Sequence, residues 1–321
     1  MRTEKAAAFL SVLVAAIILW RAKQRLRASH TTNSDNARRL ISTLMKAIIN
    51  TPNYYGRRKH NSERGAALVA KMRTGSQTRL INIDDVWGYT NTVGAKRAYN
   101  ICEVFGRLSQ HEDASCIYEA LQAQRGRPLR VASIGGGPGT CLLGYAIHER
   151  LHAGRERPTA HAKPTSDGPR LYVFDYASKW EPLVERVGAA LCEAVSFGLC
   201  DATMHLAHES NAALRAACEA MPFDLVLIVY CLHEADHARG SLERSGRDPL
   251  WAPLLLELWD AAPAGAVFLI KDQKWVEERA LELVRLRRPG SIARAYSMPR
   301  GPRAQWRTHK FGSDGLFLLR A

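Results

Sequence analysis

Cysteine is sparse in this chain and follows none of the patterns that give it a structural role. The seven cysteines are scattered and odd in number, and the sequence holds neither a Cys-x-x-Cys pair nor a Cys/His spacing suited to zinc. These absences argue against a zinc-ribbon module and a disulfide-stapled mini-domain, and they leave no predicted metal site. We expect buried, reduced thiols in a protein of an intracellular compartment.

Long hydrophobic runs are missing as well. The N-terminus offers fifteen uncharged residues, Ala6 to Trp20. As a helix they would span ~22 Å, short of the ~30 Å hydrocarbon core of a bilayer. Snorkelling arginines and a thin membrane can close that gap, and no small-x-small cleavage site follows the run. We therefore predict an N-terminal hydrophobic anchor or targeting segment over residues 1–28, with membrane association through residues 6–20.

The charges around this segment predict where the protein resides. More positive charge follows the segment than precedes it, so a membrane-anchored protein would keep the rest of the chain on the cytosolic side. The alternative is a mitochondrial presequence, because the first thirty residues are rich in arginine and hold one acid, Glu4.

Acidic residues are nearly absent from two stretches. Between residues 21 and 79 only Asp35 and Glu63 oppose fourteen basic residues, and residues 285–310 contain no acid at all. The formal net charge is +14. Such clusters suit RNA phosphates or anionic lipid; a merely solvated surface is the alternative.

What the chain does contain is a glycine-rich turn at residues 130–140. A short apolar run leads into four glycines and a proline, and an amphipathic segment follows from Cys141 to Leu151. This order predicts strand, tight turn and helix, with the free N–H groups of the helix aimed at an anionic or nucleotide ligand. Tyr145 stands where a Walker loop has its phosphate-binding lysine, so the sequence argues against a P-loop. Thr140 occupies the third glycine of a dinucleotide fingerprint, which weakens that interpretation.

Gly135, Gly137 and Gly139 match Gly-x-Gly-x-Gly, and the loop resembles the first motif of class I S-adenosylmethionine-dependent methyltransferases. The resemblance extends over residues 129–321. It implies S-adenosyl-L-methionine as the cofactor and methyl transfer as the reaction. Ser133 stands where the family usually has an acid, so the charge-assisted contact of that acid is missing here.

The resemblance also assigns roles to residues beyond the loop. Asp175 ends the second strand and would bind the ribose hydroxyls, while Asp201 follows the third strand and would bind the adenine amino group. A lone Asp at a strand end is often only a turn or helix cap. The whole implied cofactor site comprises Ser133, Gly135, Gly136, Gly137, Pro138, Gly139, Asp175, Asp201, Ala202 and Tyr230.

The tip of the fourth strand, residues 230–234, would face the methyl group. It lacks the Asn/Asp-Pro-Pro-Tyr/Phe signature of base-amine methylation and the cysteine contexts of pyrimidine C5 methylation, so Cys231 is interpreted as a packing residue. His233 and Glu234 are the titratable pair at this tip. His233 is a candidate general base; the alternative is that it positions the methionine end of the cofactor. Weak substrate-contact candidates, for which core packing is the simpler interpretation, are Trp87, Tyr89 and Tyr99.

Alternating apolar runs and helical patterns predict an α/β doubly wound fold with a seven-stranded, mostly parallel sheet. A C-terminal antiparallel hairpin is predicted from residues 305–311 and 316–319, and a helix from Asp248, its N-cap, to Ala262. Residues 29–80 form a basic helical region or linker, in which an apolar stripe from Leu40 to Ile49 should pack on the domain. The methyltransferase domain covers residues 81–321, with a surface insertion at 152–169.

Three functions remain open on this evidence. The first is methyl transfer to a small-molecule or lipophilic acceptor near a membrane, with a small-molecule acceptor favoured over RNA. The second is an RNA methyltransferase that uses the basic clusters at 21–79 and 285–310. The third is a non-catalytic binding protein built on the cofactor fold. Neither the oligomeric state nor the acceptor atom is predicted.

Overall fold

A computed structural model describes residues 33–49, 63, 65–67, 83–108, 110–123, 129–152, 170–237, 248–299 and 315–321. The strands are β1 (Val131–Ile134), β2 (Leu171–Asp175), β3 (Val195–Leu199), β4 (Leu225–Val229), β5 (Val267–Lys271), β6 (Ile292–Ser297) and β7 (Leu316–Arg320). The α-helices are α1 (Asn33–Ile49), α2 (Ile83–Tyr89), α3 (Ala95–Leu108), α4 (Ser115–Ala123), α5 (Thr140–His152), α6 (Glu181–Leu191), α7 (Ala212–Ala220), α8 (Leu232–His237), α9 (Ala252–Ala261) and α10 (Lys274–Arg287). A π-helical turn, Thr90–Gly94, joins α2 to α3.

The seven strands form one sheet in the order β3-β2-β1-β4-β5-β7-β6. Strands β1 to β5 pair in parallel, and β7 runs antiparallel to both β5 and β6. This confirms the predicted fold class, a Rossmann-like sheet that is mostly parallel and ends in an antiparallel pair.

The location predicted for the sixth strand was wrong. The partner of β7 is Ile292–Ser297, not residues 305–311, which lie outside the described residues. Strand β6 lies at the sheet edge, is only partly buried and carries Arg294. An edge strand needs little apolar character, so its sequence lacks the hydrophobic pattern that identifies β1 to β5.

The sheet is covered on both faces, and alternate residues of each strand enter separate cores. Val131 and Leu227 face the core made with α1, α3, α4, α5 and α6, whereas Ala132 and Ile228 face the core made with α7, α9 and α10. The predicted apolar stripe is confirmed, because Leu44 on α1 is fully buried in the first of these cores.

The start predicted for the helix after residue 248 was also wrong. Helix α9 begins at Ala252, with Trp251 at the N-cap and proline in its first turn. Asp248 instead pairs with Arg279 and Arg287 of α10. The local sequence pattern assigned the Asp248 carboxylate to a helix cap. It pairs instead with two arginines on a neighbouring helix.

Several predictions concern segments beyond the described part of the chain. Within the described ranges no helix is both long enough and apolar enough to cross a bilayer. The predicted anchor at residues 6–20 lies outside those ranges, as do residues 153–169 of the predicted insertion. All seven cysteines are described and none forms a disulfide; Cys192 is exposed, whereas Cys102, Cys141, Cys200 and Cys218 are buried.

Candidate functional site

The candidate site is a crevice at the carboxyl ends of β1 and β4. These adjacent strands are followed by helices on opposite faces of the sheet, α5 in the first core and α8 in the second. Such a topological switch point leaves an opening between the two connections, and open α/β sheets bind ligands there. Nearly all predicted site residues follow β1, β2, β3 or β4 at this edge.

The glycine turn after β1 adopts the conformation that the sequence predicts. Gly135, Gly137 and Gly139 have φ values of 60°, 52° and 76°, in the left-handed region that glycine enters at little cost. A Cβ atom on Gly135 would lie 2.3 Å from the Cβ of Cys231. The turn therefore packs directly against the tip of β4, and no larger residue fits at Gly135.

Ser133 lies beneath this turn and not in the crevice. Its side chain is fully buried, and its Oγ lies 2.7 Å from where a Cβ on Gly136 would be. Among the described residues its Oγ has no hydrogen-bond partner. The serine fills the space below the loop. The loop therefore separates Ser133 from the other predicted cofactor residues.

Asp175 is joined to the glycine turn by hydrogen bonds. The Gly137 N–H donates to its Oδ2 at 2.9 Å, and the Ala177 N–H donates to its Oδ1 at 3.1 Å. Burial raises the pKa of Asp175 to about 6, although these two N–H groups oppose the shift. The carboxyl group is thus fixed beside the loop, at the end of β2, where the resemblance assigned ribose binding.

Asp201 and Ala202 follow β3 at the same edge, because Leu199 of β3 is in register with Asp175. The Asp201 Oδ1 accepts hydrogen bonds from the Thr203 N–H at 2.9 Å and from the Thr203 hydroxyl at 2.7 Å. Both bonds stay within the local turn, so this oxygen of Asp201 acts as a turn cap. Both residues are half-buried.

Tyr230, at the tip of β4, has a left-handed backbone with φ of 57°. Its N–H donates to the Lys271 carbonyl at 2.8 Å, which ties the tip to β5. The Cys231 thiol contacts the Ile134 carbonyl at 3.4 Å, and burial raises the pKa of Cys231 well above its ordinary value. A protonated, packed thiol agrees with the interpretation of Cys231 as a packing residue.

His233 and Glu234 open α8, and a third residue completes their arrangement. The His233 Nδ1 lies 2.5 Å from Oδ1 of Asp272, and its Nε2 lies 4.0 Å from Oε1 of Glu234. Asp272 is fully buried and also accepts hydrogen bonds from the N–H groups of Leu232 and Gln273. Asp272 is therefore in close contact with one ring nitrogen of His233, and Nε2 faces Glu234.

The electrostatics of this group follow from burial and from mutual attraction. Burial lowers the pKa of His233, but the hydrogen bond and charge of Asp272, together with the charge of Glu234, outweigh it, so the pKa is raised. Burial raises the pKa of Glu234 to about 7, against the opposing charges of His233 and Arg97. The Glu234 side chain is still 33% exposed, as expected for a group deep in an open crevice.

Sequence reasoning missed Asp272 and Arg97. Asp272 directly follows β5, much as Asp175 ends β2, and that position was an available signal. Arg97, on α3, lies over the rings of Tyr89 and Tyr230, each centroid 5.1 Å away. Of the aromatic candidates, Tyr89 therefore adjoins the site, whereas Trp87 and Tyr99 lie under Arg186 and Arg38 respectively.

Two of the four described arginines in the basic cluster at 285–310 are paired with acids of the same molecule. Arg287 bonds to Asp248 at 2.7 Å, Arg288 Nε bonds to Asp260 at 2.6 Å, and Arg294 donates to the Asp113 carbonyl at 3.1 Å. The cluster is thus only partly neutralised, because the contact of Arg294 is with a neutral carbonyl. The described residues also contain no cluster of His, Cys, Asp and Glu suited to a metal ion.

Comparison with known proteins gives only distant similarities. No protein-family model matches the chain, and no curated protein matches it. Among solved structures, the chain is similar to a putative class I S-adenosylmethionine-dependent methyltransferase from Listeria monocytogenes, with 10% identity, a TM-score of 0.41 and coverage of 89% of this chain and 88% of that one.

Two further solved structures are similar at the same level. They are a 16S rRNA methyltransferase in complex with S-adenosyl-L-homocysteine (12% identity, TM-score 0.33, 88% and 98% covered) and a ribosomal protein L11 methylase from Lactobacillus delbrueckii subsp. bulgaricus (12%, 0.34, 66% and 78%). At these identities and TM-scores the similarities carry no argument about activity, and the inferences below depend on the geometry of this chain.

Proposed function

We propose that this protein is an S-adenosylmethionine-dependent methyltransferase. The observation that carries the proposal is the hydrogen bond from the Gly137 N–H to Asp175, because it joins a left-handed glycine turn and a buried carboxyl group into one receptor. The glycine turn lets the protein backbone approach a ligand closely, and the carboxyl group is suited to bind a ribose diol. The two features side by side suit an adenosyl group.

The residues fit this cofactor in their chemistry as well as in their position. Asp175 would bind the ribose hydroxyls, and Asp201 would bind the adenine amino group through the oxygen not held by Thr203. When bound, the cofactor supplies a methyl group that is already activated for transfer. The protein therefore needs to align the acceptor, exclude water and, for some acceptors, remove a proton.

His233 is the residue that we assign to proton removal. Asp272 fixes the Nδ1 side of its ring, so Nε2 is the nitrogen available to an acceptor, beside Glu234. Asp272 thereby acts as a positioning residue and favours the charged imidazole that forms when the proton is taken. This arrangement suits a small organic acceptor with an O–H or N–H that must be deprotonated, and we propose that class of acceptor.

An RNA acceptor is the second possibility, and the described surface offers it little support. Arg287 and Arg288 are held by acids of the same molecule, which reduces the charge that they could offer to phosphates. Residues 21–32, 50–62, 64 and 68–79 of the first basic cluster and residues 300–310 of the second lie outside the described ranges. The lipophilic, membrane-proximal form of the hypothesis depends on residues 6–20, which also lie there.

The first test is calorimetry of the full-length protein with S-adenosyl-L-homocysteine. We expect binding by the wild type and a loss of about 10-fold or more in affinity for Asp175→Ala, because a charge-assisted hydrogen bond contributes about 1.5–3 kcal/mol. Glu278→Ala is the matched control, since Glu278 is an exposed acid on α10 and its loss should leave affinity unchanged. Absence of binding by the wild type would refute the proposal.

The second test identifies the acceptor class. The purified protein is incubated with radiolabelled cofactor and separated cell fractions, and label is followed into organic-soluble small molecules, RNA and protein. Label in small molecules that His233→Gln abolishes would support the proposal. Label confined to RNA would establish the second possibility, whereas cofactor binding with no transfer to any fraction would indicate a non-catalytic binding protein.

A further inference from the structure

Arg97 is a half-buried cation at the crevice, in contact with two aromatic rings. Within the described part of the chain no oxygen accepts a hydrogen bond from its guanidinium, which contacts the rings of Tyr89 and Tyr230 instead. A guanidinium carries five donors in a fixed plane, and those of Arg97 bond to no oxygen of the described residues. Such a group is suited to a ligand that brings its own anion.

The helix that carries Arg97 is preceded by an irregular turn, and this turn places the Arg97 side chain at the crevice. Arg97 is eight positions after Tyr89, which in a continuous α-helix leaves their side chains about 80° apart. The π-helical turn Thr90–Gly94 accommodates one additional residue. The two side chains are then only about 20° apart around the helix axis. Both side chains consequently lie on one face of the helix, beside Tyr230.

Two threonines stabilise this unusual turn. The Thr90 hydroxyl donates to the Val86 carbonyl, and the Thr92 hydroxyl donates to the Gly88 carbonyl, each at 2.8 Å. A π-turn weakens the regular backbone pattern of a helix, and these hydroxyls satisfy carbonyls on its N-terminal side. The turn is therefore built into the local sequence and fixes the direction of Arg97.

The neighbours of Arg97 locate it within the crevice. Its positive charge acts on Asp175, on Glu234 and on Cys141, the second residue of α5. It thus lies between the end of the glycine turn and the tip of β4, on the α3 side of the crevice. An adenosyl ligand whose sugar is at Asp175 would extend its other end from the glycine turn toward this position.

We propose that Arg97 binds the carboxylate at the amino-acid end of the cofactor, an inference that rests on the proposed function. That carboxylate is the only anionic group of S-adenosylmethionine, and a guanidinium binds a carboxylate through two parallel hydrogen bonds. The rings of Tyr89 and Tyr230 hold the guanidinium in place before the ligand arrives, which reduces the ordering cost of binding. Arg97 is accordingly a cofactor-binding residue contributed by a helix that precedes the sheet.

The test compares three ligands that differ at one end. The full-length protein is titrated calorimetrically with S-adenosylhomocysteine, with its decarboxylated analogue and with 5′-methylthioadenosine, which lacks the whole amino-acid part. The wild type should bind the first about 10- to 100-fold more tightly than the second, the range expected for charge-assisted hydrogen bonds to one carboxylate. Arg97→Gln should remove that preference and leave the affinity for 5′-methylthioadenosine unchanged.

Two further variants complete the design. Arg97→Lys should retain part of the preference, because an ammonium keeps the charge but not the paired geometry. Arg38→Gln is the matched control, since Arg38 also lies over a tyrosine ring, 4.6 Å from the centroid of Tyr99, and should behave as the wild type.

The possible results separate the two levels of inference. A wild type that binds none of the three ligands overturns the proposed function and this inference together. A wild type that binds S-adenosylhomocysteine and its decarboxylated analogue equally overturns the role of Arg97 alone. The same conclusion follows if Arg97→Gln weakens all three ligands by the same factor, because that pattern indicates a structural role.

Discussion

Asp175, the proposed ribose-binding residue, is buried at a cost in stability at neutral pH. Its carboxyl group is 4% exposed and has a pKa of about 6, above the ordinary 3.8, because burial disfavours the charge. A folded-state pKa above the unfolded value means that folding is favoured by the protonated form. The stability that this group contributes is complete below pH 3.8 and is lost as the pH rises through about 6.

We therefore predict that Asp175→Asn will become more stable relative to the wild type as the pH increases. The shift from 3.8 to about 6 corresponds to about 3 kcal/mol between pH 3.5 and pH 7.5. Chemical denaturation of the ligand-free protein at several pH values measures this difference. A difference between the two proteins that stays constant over that range would show that Asp175 is not the source.

His233 gives a second prediction at this scale, through its contact with Asp272. The raised pKa of His233 reflects the charge and hydrogen bond of Asp272, so Asp272→Asn should lower that pKa. NMR titration of the imidazole signals measures it, with the His233 resonance assigned by its absence in His233→Gln. An unchanged His233 titration in Asp272→Asn would remove Asp272 from the mechanism. Glu278→Gln supplies the control for a change of surface charge.

Among the elements, the turn after β1 has the tightest steric requirement. Gly135→Ala would place a Cβ 2.3 Å from that of Cys231 and require a left-handed alanine, so we expect a loss of about 3–5 kcal/mol in unfolding free energy. Gly290→Ala is the matched control, because Gly290 has φ of 75° but nothing within 4 Å of the added atom. It should lose only about 1–2 kcal/mol.

Denaturant unfolding of the two variants separates the conformational cost from the packing cost. Equal losses of unfolding free energy in the two variants would mean that the contact between the turn and Cys231 does not affect stability. Adding Cys231→Gly to Gly135→Ala should recover part of the loss, since the atom that causes the overlap is then absent.

The sequence predicted those elements whose signals are local. The glycine turn and the acid at the end of β2 were found because each apolar strand ends in a residue with a distinct conformational or chemical property. Strand β6 was missed because an edge strand that carries Arg294 has no apolar pattern. The cap assigned to Asp248 was wrong because its partners Arg279 and Arg287 lie 31 and 39 residues away in the chain.

The site shows the same division. Sequence alone placed Asp175 and His233 at strand ends, and the structure brings both to the crevice. The pairing of His233 with Asp272 needs the adjacency of β4 and β5, which is a property of the sheet. The direction of Arg97 depends on one π-turn at residues 90–94, and the sequence predicted an ordinary helix there.

At the scale of the whole molecule, α1 belongs to the core that supports the crevice. Leu44 is fully buried in the same cluster as Val131 and Leu227, so Leu44→Ala should cost about 2–5 kcal/mol in unfolding free energy. Lys46→Ala, an exposed position on the same helix, should change it by less than about 0.5 kcal/mol. Urea denaturation of full-length protein measures both, and a small effect at Leu44 would show that α1 only rests on the surface.

The position of β7 has a consequence for assembly of the sheet. This strand follows β6 in the chain, yet it lies between β5 and β6 and is the only strand that pairs with β6 among the described residues. Until β7 is in place, the outer edge of β5 and the whole of β6 lack a pairing partner within the sheet. A change that keeps β7 from pairing would therefore expose two strand edges at once.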